Sequence, residues 1–411
     1  MAYQEKTTVS YGGRLGNALK GVVGGIIAFV GGTILLFWNE GNFIKTLRAL
    51  NEAEGATTHC ESVATIDPAL EGKMIHASAF ADTQDILEDS DFGLKETAIS
   101  LIRTVEYYQW EEDSKTETKD KLGGGQERVT TYTYDKGWSA SPVDSGKFKD
   151  EDYQNKNFVL MNVTPQTQYA KNVLFGAYSL PPFFIESISG RVSAEPKLSP
   201  EQIAALEKVI TANPRAQASA APASTNAAAS QWVHASGGTV YLGKTPASPH
   251  VGDVRVTLAK VLPQDVSVIA KVSGQTFAKY VAKNGKTVSR LALGTKSMEE
   301  MYESARSGNK AFTWILRVIG IILVCAGLKM IFAIFEAIAK VVPFLGSIVG
   351  AGVGFVCTVL GLAWSIVWIA IAWLTYRPLI SVPLLVGAVA LVVYLKTKGS
   401  KGNTNKETPA Q

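Results

Sequence analysis

Four stretches of the chain carry no charged side chain and are dense in Val, Ile, Leu, Phe, Ala and Gly: residues 21–38, 318–328, 341–376 and 378–395. About 20 apolar residues cross a hydrocarbon core of roughly 30 Å, so these runs predict transmembrane helices at 21–38, 311–335, within 341–376, and at 378–395. The first run could also be the apolar region of a cleaved signal peptide. It is longer than such regions, however, and no small-x-small cleavage site follows Trp38-Asn39-Glu40, which favours a retained helix. As one straight helix the run 341–376 would be about 54 Å long, more than the core needs. It is therefore expected to form one span preceded by an interfacial or re-entrant piece over residues 343–354.

Between the first and second spans, residues 39–310 show a different rhythm. Short alternating runs separated by turn residues predict strands, and the fold class expected is an α+β extramembrane domain of mostly antiparallel strands plus four transmembrane α-helices. Residues 101–110 and 126–134 flank a charged stretch, 111–125, ending in three glycines. They read as the two arms of a hairpin with a solvated tip. Ser199-Pro200-Glu201-Gln202 places an N-cap, a proline at the first helical position and a capping-box glutamine ahead of a helix over 200–210. Residues 216–230 are a low-complexity Ala/Ser stretch that reads as a flexible insertion. Alternation resumes at 251–258 and 265–268, and Asn284-Gly285 between Tyr280-Val281 and Thr287-Val288 predicts a two-residue hairpin turn. Two subunits are expected, about 41–195 and 231–310.

Charge refines this picture. The formal net charge is +4, but residues 41–310 hold 29 Lys+Arg against 32 Asp+Glu, leaving 11 against 4 in the membrane-flanking remainder. That excess points to lipid headgroups as partner and away from nucleic acid. Lys6, Arg14 and Lys20 before the first span, Lys329 and Lys340, and the tail 396–411 fall on one side of a four-span arrangement, which the positive-inside rule makes cytoplasmic. Residues 39–310 then face the periplasm or a lumen. Of the three cysteines, Cys60, Cys325 and Cys357, only Cys60 lies outside the apolar runs, so the extramembrane domain holds no internal disulfide.

Several separated segments resemble the transmembrane protein 43 family, also called LUMA. They are Leu35-Leu36-Phe37-Trp38-Asn39-Glu40-Gly41, Val105-Glu106-Tyr107-Tyr108-Gln109-Trp110, Tyr132-Thr133-Tyr134 with Trp138, Val251-Gly252-Asp253-Val254-Arg255, and Thr375-Tyr376-Arg377-Pro378-Leu379. The resemblance implies four spans, a large domain between the first two, and no defining catalytic motif. It also implies a role in organising membrane protein complexes at the endoplasmic reticulum and inner nuclear membrane, where animal members reside. The Ala/Ser stretch departs from that pattern and leads us to expect a bacterial member in the inner membrane.

Candidate chemistry outside the spans is sparse. Residues 238–245 satisfy the Walker A pattern, but a P-loop needs a flexible loop between strand and helix. Here Thr239-Val240-Tyr241-Leu242 is strand-like, and Pro246 and Pro249 oppose a following helix. The histidines His59, His76, His234 and His250 show no metal-ligand spacing. Asn162-Val163-Thr164 is a glycosylation triplet. No catalytic residue, cofactor or metal is expected.

The spans offer more. Gly24, Ala28 and Gly32, and likewise Gly346, Gly350 and Gly354, repeat every four residues and put small side chains on one helix face, where helices can approach closely. The contact could lie within one subunit or between subunits. Arg317, Lys329 and Arg377 are membrane-embedded or interfacial charges, functional candidates that could equally snorkel to headgroups. The expected function is a non-enzymatic multi-pass scaffold, forming a homo-oligomer or binding other membrane proteins and lipid. A channel or transporter, or an enzyme whose site forms only in the fold, are the alternatives.

Overall fold

The computed structural model describes residues 3–218, 232–378, 382–383 and 386. Six helices form among them: α1 Tyr11–Ala56, α2 Pro182–Ile185, α3 Pro200–Thr211, α4 Pro214–Ala218, α5 Met298–Ala339 and α6 Pro343–Tyr376. The chain divides into two compact units. One comprises residues 1–7, 52–117 and 128–303; the other comprises 8–51, 118–127 and 304–411.

The first unit is α+β and mostly antiparallel. One sheet runs in the order Tyr3–Val9, Gln126–Ser139, Ser100–Asp120, Val254–Val261, Thr239–Leu242, Val233–Ser236. A second is built around Gln264–Ser273 paired antiparallel with Met74–Thr83, with Thr57–His59 added in parallel at an edge. The subunits expected at 41–195 and 231–310 are not separate. Val254–Val261 pairs with Tyr107–Ser100, and Gln264–Lys271 pairs with Ala81–Met74, so each sheet joins strands from both halves. Local pattern predicts that a strand exists, whereas its partner is fixed by the burial of a shared face.

Alternation was a sound guide where one face is solvated. Val254, Val256 and Leu258 are buried while Arg255 and Thr257 are half-buried. It misled at Ser267, which is fully buried; its hydroxyl meets Ser78 Oγ at 2.7 Å and donates to the Gly294 carbonyl at 2.8 Å. Hydrogen bonding offsets the cost of burying it. Each sheet has its own apolar cluster. One gathers Phe175, Tyr178, Phe184 and Phe277; the other gathers Phe92, Val105, Trp232, Leu242 and Leu258.

The capping box forms as expected: Ser199 Oγ accepts from the Gln202 N–H, and Gln202 Oε1 accepts from the Ser199 N–H. The expected hairpin forms at Asn284-Gly285, but as a three-residue loop over 283–285 closed by Ala282 and Lys286, with Gly285 at φ +79°, instead of a two-residue turn. The charged stretch 111–125 is mostly not a loop, since the strand continues to Asp120. Of the expected insertion 216–230, residues 216–218 complete α4, with Ala216 buried, and the remainder lies outside the described residues.

In the second unit, α1, α5 and α6 are long and apolar enough to cross a membrane, three such helices among the described residues. The fourth expected span, 378–395, lies largely outside those residues. The 341–376 run is not a re-entrant piece followed by a span: α6 is one uninterrupted helix of 34 residues. Pro343 sits in its first turn, where a missing N–H costs nothing, and the turn at residues 340–342 separates it from α5. The tip of the long hairpin, residues 118–127, belongs to this unit. Asp120 lies 2.8 Å from Arg14 and 3.6 Å from Lys340, and the ring of Tyr11 packs over Gly124, so the tip is bound by α1 and by the turn after α5 instead of being a free loop.

A buried ion pair tests the sheet packing of the first unit. Arg103 Nη1 donates to Asp89 and Asp91 at 2.9 Å each, and Nε donates to the Thr164 carbonyl at 3.0 Å. Burial pushes the Asp89 carboxyl above its ordinary value, and Arg103 pulls it back. A raised pKa means the folded state holds the proton more tightly, so this group's contribution is present at acid pH and is lost as pH rises through and above the carboxylate range. Arg103→Met should therefore lower stability by about 3–5 kcal/mol near neutrality, with a deficit that shrinks toward pH 4. Thermal unfolding of variant and parent across that range checks it; a pH-independent deficit contradicts the assignment.

Candidate functional site

Glycine sets how closely α1 and α5 meet. A Cβ added at Gly25 would lie 2.8 Å from the Gly327 carbonyl oxygen, and one at Gly32 would lie 2.9 Å from that of Gly320. In return, a Cβ added at Gly327 would lie 2.5 Å from the Phe29 backbone nitrogen, and one at Gly320 would lie 2.7 Å from the Leu36 side chain. Any larger residue would push the helices apart. Further along, Asn39 Nδ2 donates to the Thr313 carbonyl at 3.0 Å, and Asn309 Nδ2 donates to the Phe43 carbonyl at 3.1 Å. Ascending α1 through 25, 32, 39 and 43 thus descends α5 through 327, 320, 313 and 309. A seven-residue step returns to nearly the same helix face, so one antiparallel register holds along the whole contact.

Where the uncharged run of α1 ends, this seam becomes polar. Glu40, with a side chain 1% exposed, accepts from Arg317 Nε at 2.5 Å and from Nη2 at 2.8 Å, a bidentate pair. Trp373 Nε1 of α6 donates to the same carboxylate at 2.9 Å. The Arg317 guanidinium lies 4.8 Å from the Trp314 ring centroid, and that of Arg377 lies 5.0 Å from Phe43 and 5.7 Å from Trp373. Gly41 meets the ring of Tyr376, and Arg48 donates to the Tyr376 carbonyl at 2.9 Å. Asn39 Oδ1 is the one buried side-chain polar atom without a hydrogen-bond partner among the described residues. One carboxylate therefore holds donors from two other helices. A desolvated charge is tolerable only when paired in this way.

The sequence candidates fall into three groups. Gly32 lies on the α1–α5 seam, with Gly24 beside it against Met330 and Ala28 half-buried. Gly346 and Gly350 pack on Lys340 and Glu336 at the end of α5, whereas Gly354 has no heavy atom within 4 Å of where a Cβ would stand. The three residues expected to share one role do not share one environment. Arg317 is paired inward with Glu40 instead of snorkelling, Arg377 is half-buried on aromatic rings, and Lys329 is exposed. Sequence reading missed Glu40, Asn39, Gly25, Gly320 and Gly327. The available signal was Glu40 closing an uncharged run of the first span, with Arg317 opening that of the second. The Walker-like residues 239–242 form a strand, not a phosphate-binding loop.

Removing one partner of such a pair strands the other. Glu40→Ala and Arg317→Ala should each destabilise the bundle by about 3–5 kcal/mol. The double variant should be less damaged than the two losses added together. A double-mutant cycle on thermal unfolding in neutral detergent measures this, and simple additivity would exclude the pairing.

Comparisons with known proteins find relatives along most of the chain. The profile of the family described as Transmembrane protein 43 fits residues 107–378. Transmembrane protein 43 of Rattus norvegicus is 28% identical over 391 residues, covering 92% of this chain and 90% of the relative. The Homo sapiens protein of the same name is 27% identical over 395 residues, with 93% and 90% covered. The Transmembrane protein 43 homolog of Drosophila melanogaster is 25% identical over 380 residues, with 90% and 92% covered. These relatives are animal proteins, so they lend no support to the expected bacterial inner membrane or periplasm. No solved structure matches. Three apolar helices locked by a buried charge cluster, a mostly antiparallel α+β unit and the family profile agree that this integral membrane chain belongs to the transmembrane protein 43 family.

Proposed function

We propose that the protein is a non-enzymatic membrane scaffold whose locked helices present their remaining apolar faces to lipid and to other membrane proteins, a second copy included. The observation that supports this reading is how the spans divide their surface. Glu40 and Arg317 neutralise one another among the helices, and only 22%, 17% and 22% of the apolar windows of α1, α5 and α6 are buried within the protein. On α6, Phe344 and Phe355 are each 72% exposed and Ile366 is 65% exposed. Lipid alone satisfies such faces. A small residue with open space beside it, such as Gly354, additionally admits close approach of another helix.

A channel mechanism finds less support. Arg317, the span cation that a selective path would use, already has its charge cancelled by Glu40 at bidentate distance.

Native mass spectrometry of the protein gently extracted from its own membrane tests the scaffold reading. A defined oligomer or a retained membrane-protein partner is expected, and a lipid-only monomer would overturn it. Two glycines separate assembly from folding. Gly354→Leu should abolish the assembled species while leaving the unfolding temperature within the range of a surface substitution. Gly32→Leu should lower that temperature sharply, because its side chain meets the α5 backbone.

A further inference from the structure

The extramembrane unit contains a half-open cleft of about 540 Å³ that the helix seam leaves unexplained. Its wall carries three cations from separate parts of the chain: Lys136 on the strand Gln126–Ser139, Arg215 on α4 and Lys244 after the strand Thr239–Leu242. Among the described lining residues the one carboxylate is Asp253, and it is occupied internally. Asp253 Oδ2 accepts from the Tyr241 hydroxyl and, at 2.8 Å, from the His250 N–H. Asp253 is 3% exposed, and burial pushes its carboxyl upward while the Tyr241 and His250 hydrogen bonds oppose that shift; a single carboxylate thus stands against three cations. The cleft therefore presents a net positive wall.

The cations are also held in place by aromatic rings. Arg215 lies 5.3 Å from the centroid of Phe158, Lys244 lies 5.1 Å from that of Trp232, and Lys136 lies 4.7 Å from that of Trp110. Stacking on a ring face restrains a flexible cation before a ligand arrives. Phe158 and Trp232 line the cleft themselves, together with Leu160 and Val251, so the charged rim adjoins an apolar wall. Two glycines make this construction possible. A Cβ at Gly252, whose φ is +102°, would run into the Phe158 ring, and one at Gly243 would run into the Asp253 carboxylate. Leu160 N–H donates to the Gly252 carbonyl at 2.9 Å, and Asn213 Nδ2 of the α3–α4 turn donates to the Val159 carbonyl at 2.8 Å, which fixes the floor and the helix that carries Arg215.

We propose that this cleft binds a phosphomonoester: a dianionic phosphate held by Lys136, Arg215 and Lys244, with an apolar or aromatic body lying against Phe158 and Trp232. A guanidinium with two ammonium groups suits a dianion with several acceptor oxygens better than it suits a single carboxylate. A volume in the range of small-molecule sites, roughly 300–1,000 Å³, exceeds what a bare phosphate fills. The phosphate could come from a lipid headgroup or from a soluble metabolite, and the chemistry recognised is the same.

The test uses the full chain in neutral-detergent micelles, with phenyl phosphate, inorganic phosphate and benzyl alcohol as probes and calorimetric titration as readout. Phenyl phosphate should bind at least about tenfold more tightly than inorganic phosphate, and benzyl alcohol should not bind measurably. Lys136→Glu and Arg215→Glu change exposed side chains, so the unfolding temperature should hold while phenyl phosphate affinity falls about tenfold or more in each, the loss of one charge-assisted contact. No binding of phenyl phosphate, equal binding of inorganic phosphate, or affinity unchanged in both variants would each overturn the proposal. A competition step then identifies the source. Displacement of phenyl phosphate by phosphatidylcholine vesicles containing phosphatidic acid, and not by vesicles without it, assigns a headgroup; displacement by neither, with binding intact, assigns a soluble phosphomonoester.

Discussion

A carboxylate shielded from solvent where a helix's apolar run ends cannot remain unpaired, and in this protein that requirement organises the helical unit. Glu40 is satisfied by Arg317 from α5 and Trp373 from α6, so its position fixes the rotation of both helices about their axes. The glycine seam supplies the complementary constraint. Gly25, Gly32, Gly320 and Gly327 let the backbones of α1 and α5 approach until the same register that joins them also joins Asn39 to Thr313 and Asn309 to Phe43. Dispersion and close approach hold the apolar part of the contact, while charge and hydrogen bonds define its end. Acyl chains can compete for apolar packing but not for a bidentate guanidinium–carboxylate pair, which is why the polar end confers specificity that the glycines alone would lack.

The extramembrane unit solves a different problem. Strands from the two halves of the sequence pair in both sheets, so neither half buries its own apolar face without the other. Long-range pairing of this kind makes folding depend on contacts between residues far apart in sequence. The same pairing sets the strands Gln126–Ser139, Thr239–Leu242 and Val254–Val261 within one sheet, which gathers Lys136, Lys244 and the Val251-Gly252-Asp253 turn around one cleft. Those turn residues are among the segments that carry the family resemblance. Their structural meaning is now physical: Gly252 accepts the Phe158 ring, and Asp253 closes the network with Tyr241 and His250.

Local signals served well wherever the physics is local. The capping box at Ser199 and Gln202, the Asn284-Gly285 turn, the strand alternation at Val254–Leu258 and the apolar runs of α1, α5 and α6 depend on neighbours a few residues away. Signals failed where the deciding partner is distant. Ser267 reads as an outward polar position, yet it is fully buried because Ser78 and Gly294 satisfy its hydroxyl. Arg317 reads as a snorkelling cation because nothing within its own helix reveals a carboxylate 277 residues earlier. Residues 111–120 read as a loop because charge dominates their composition, although threonines at alternating positions and a paired arm carry the strand onward.

The sequence by itself determined that the chain enters the membrane, that its extramembrane portion is α+β, and which segments turn, cap or cross, because hydrophobic length, periodicity and turn chemistry act over a few residues. It also carried the family resemblance through ordered motifs spread across the chain. The tertiary structure alone decided which glycines lie on a helix seam and which face open space, that Glu40 meets Arg317 and Trp373, and that three separated cations and two aromatic rings share a cleft. These are pairings between residues far apart in sequence, and they are fixed by the joint burial of surfaces that no local window contains.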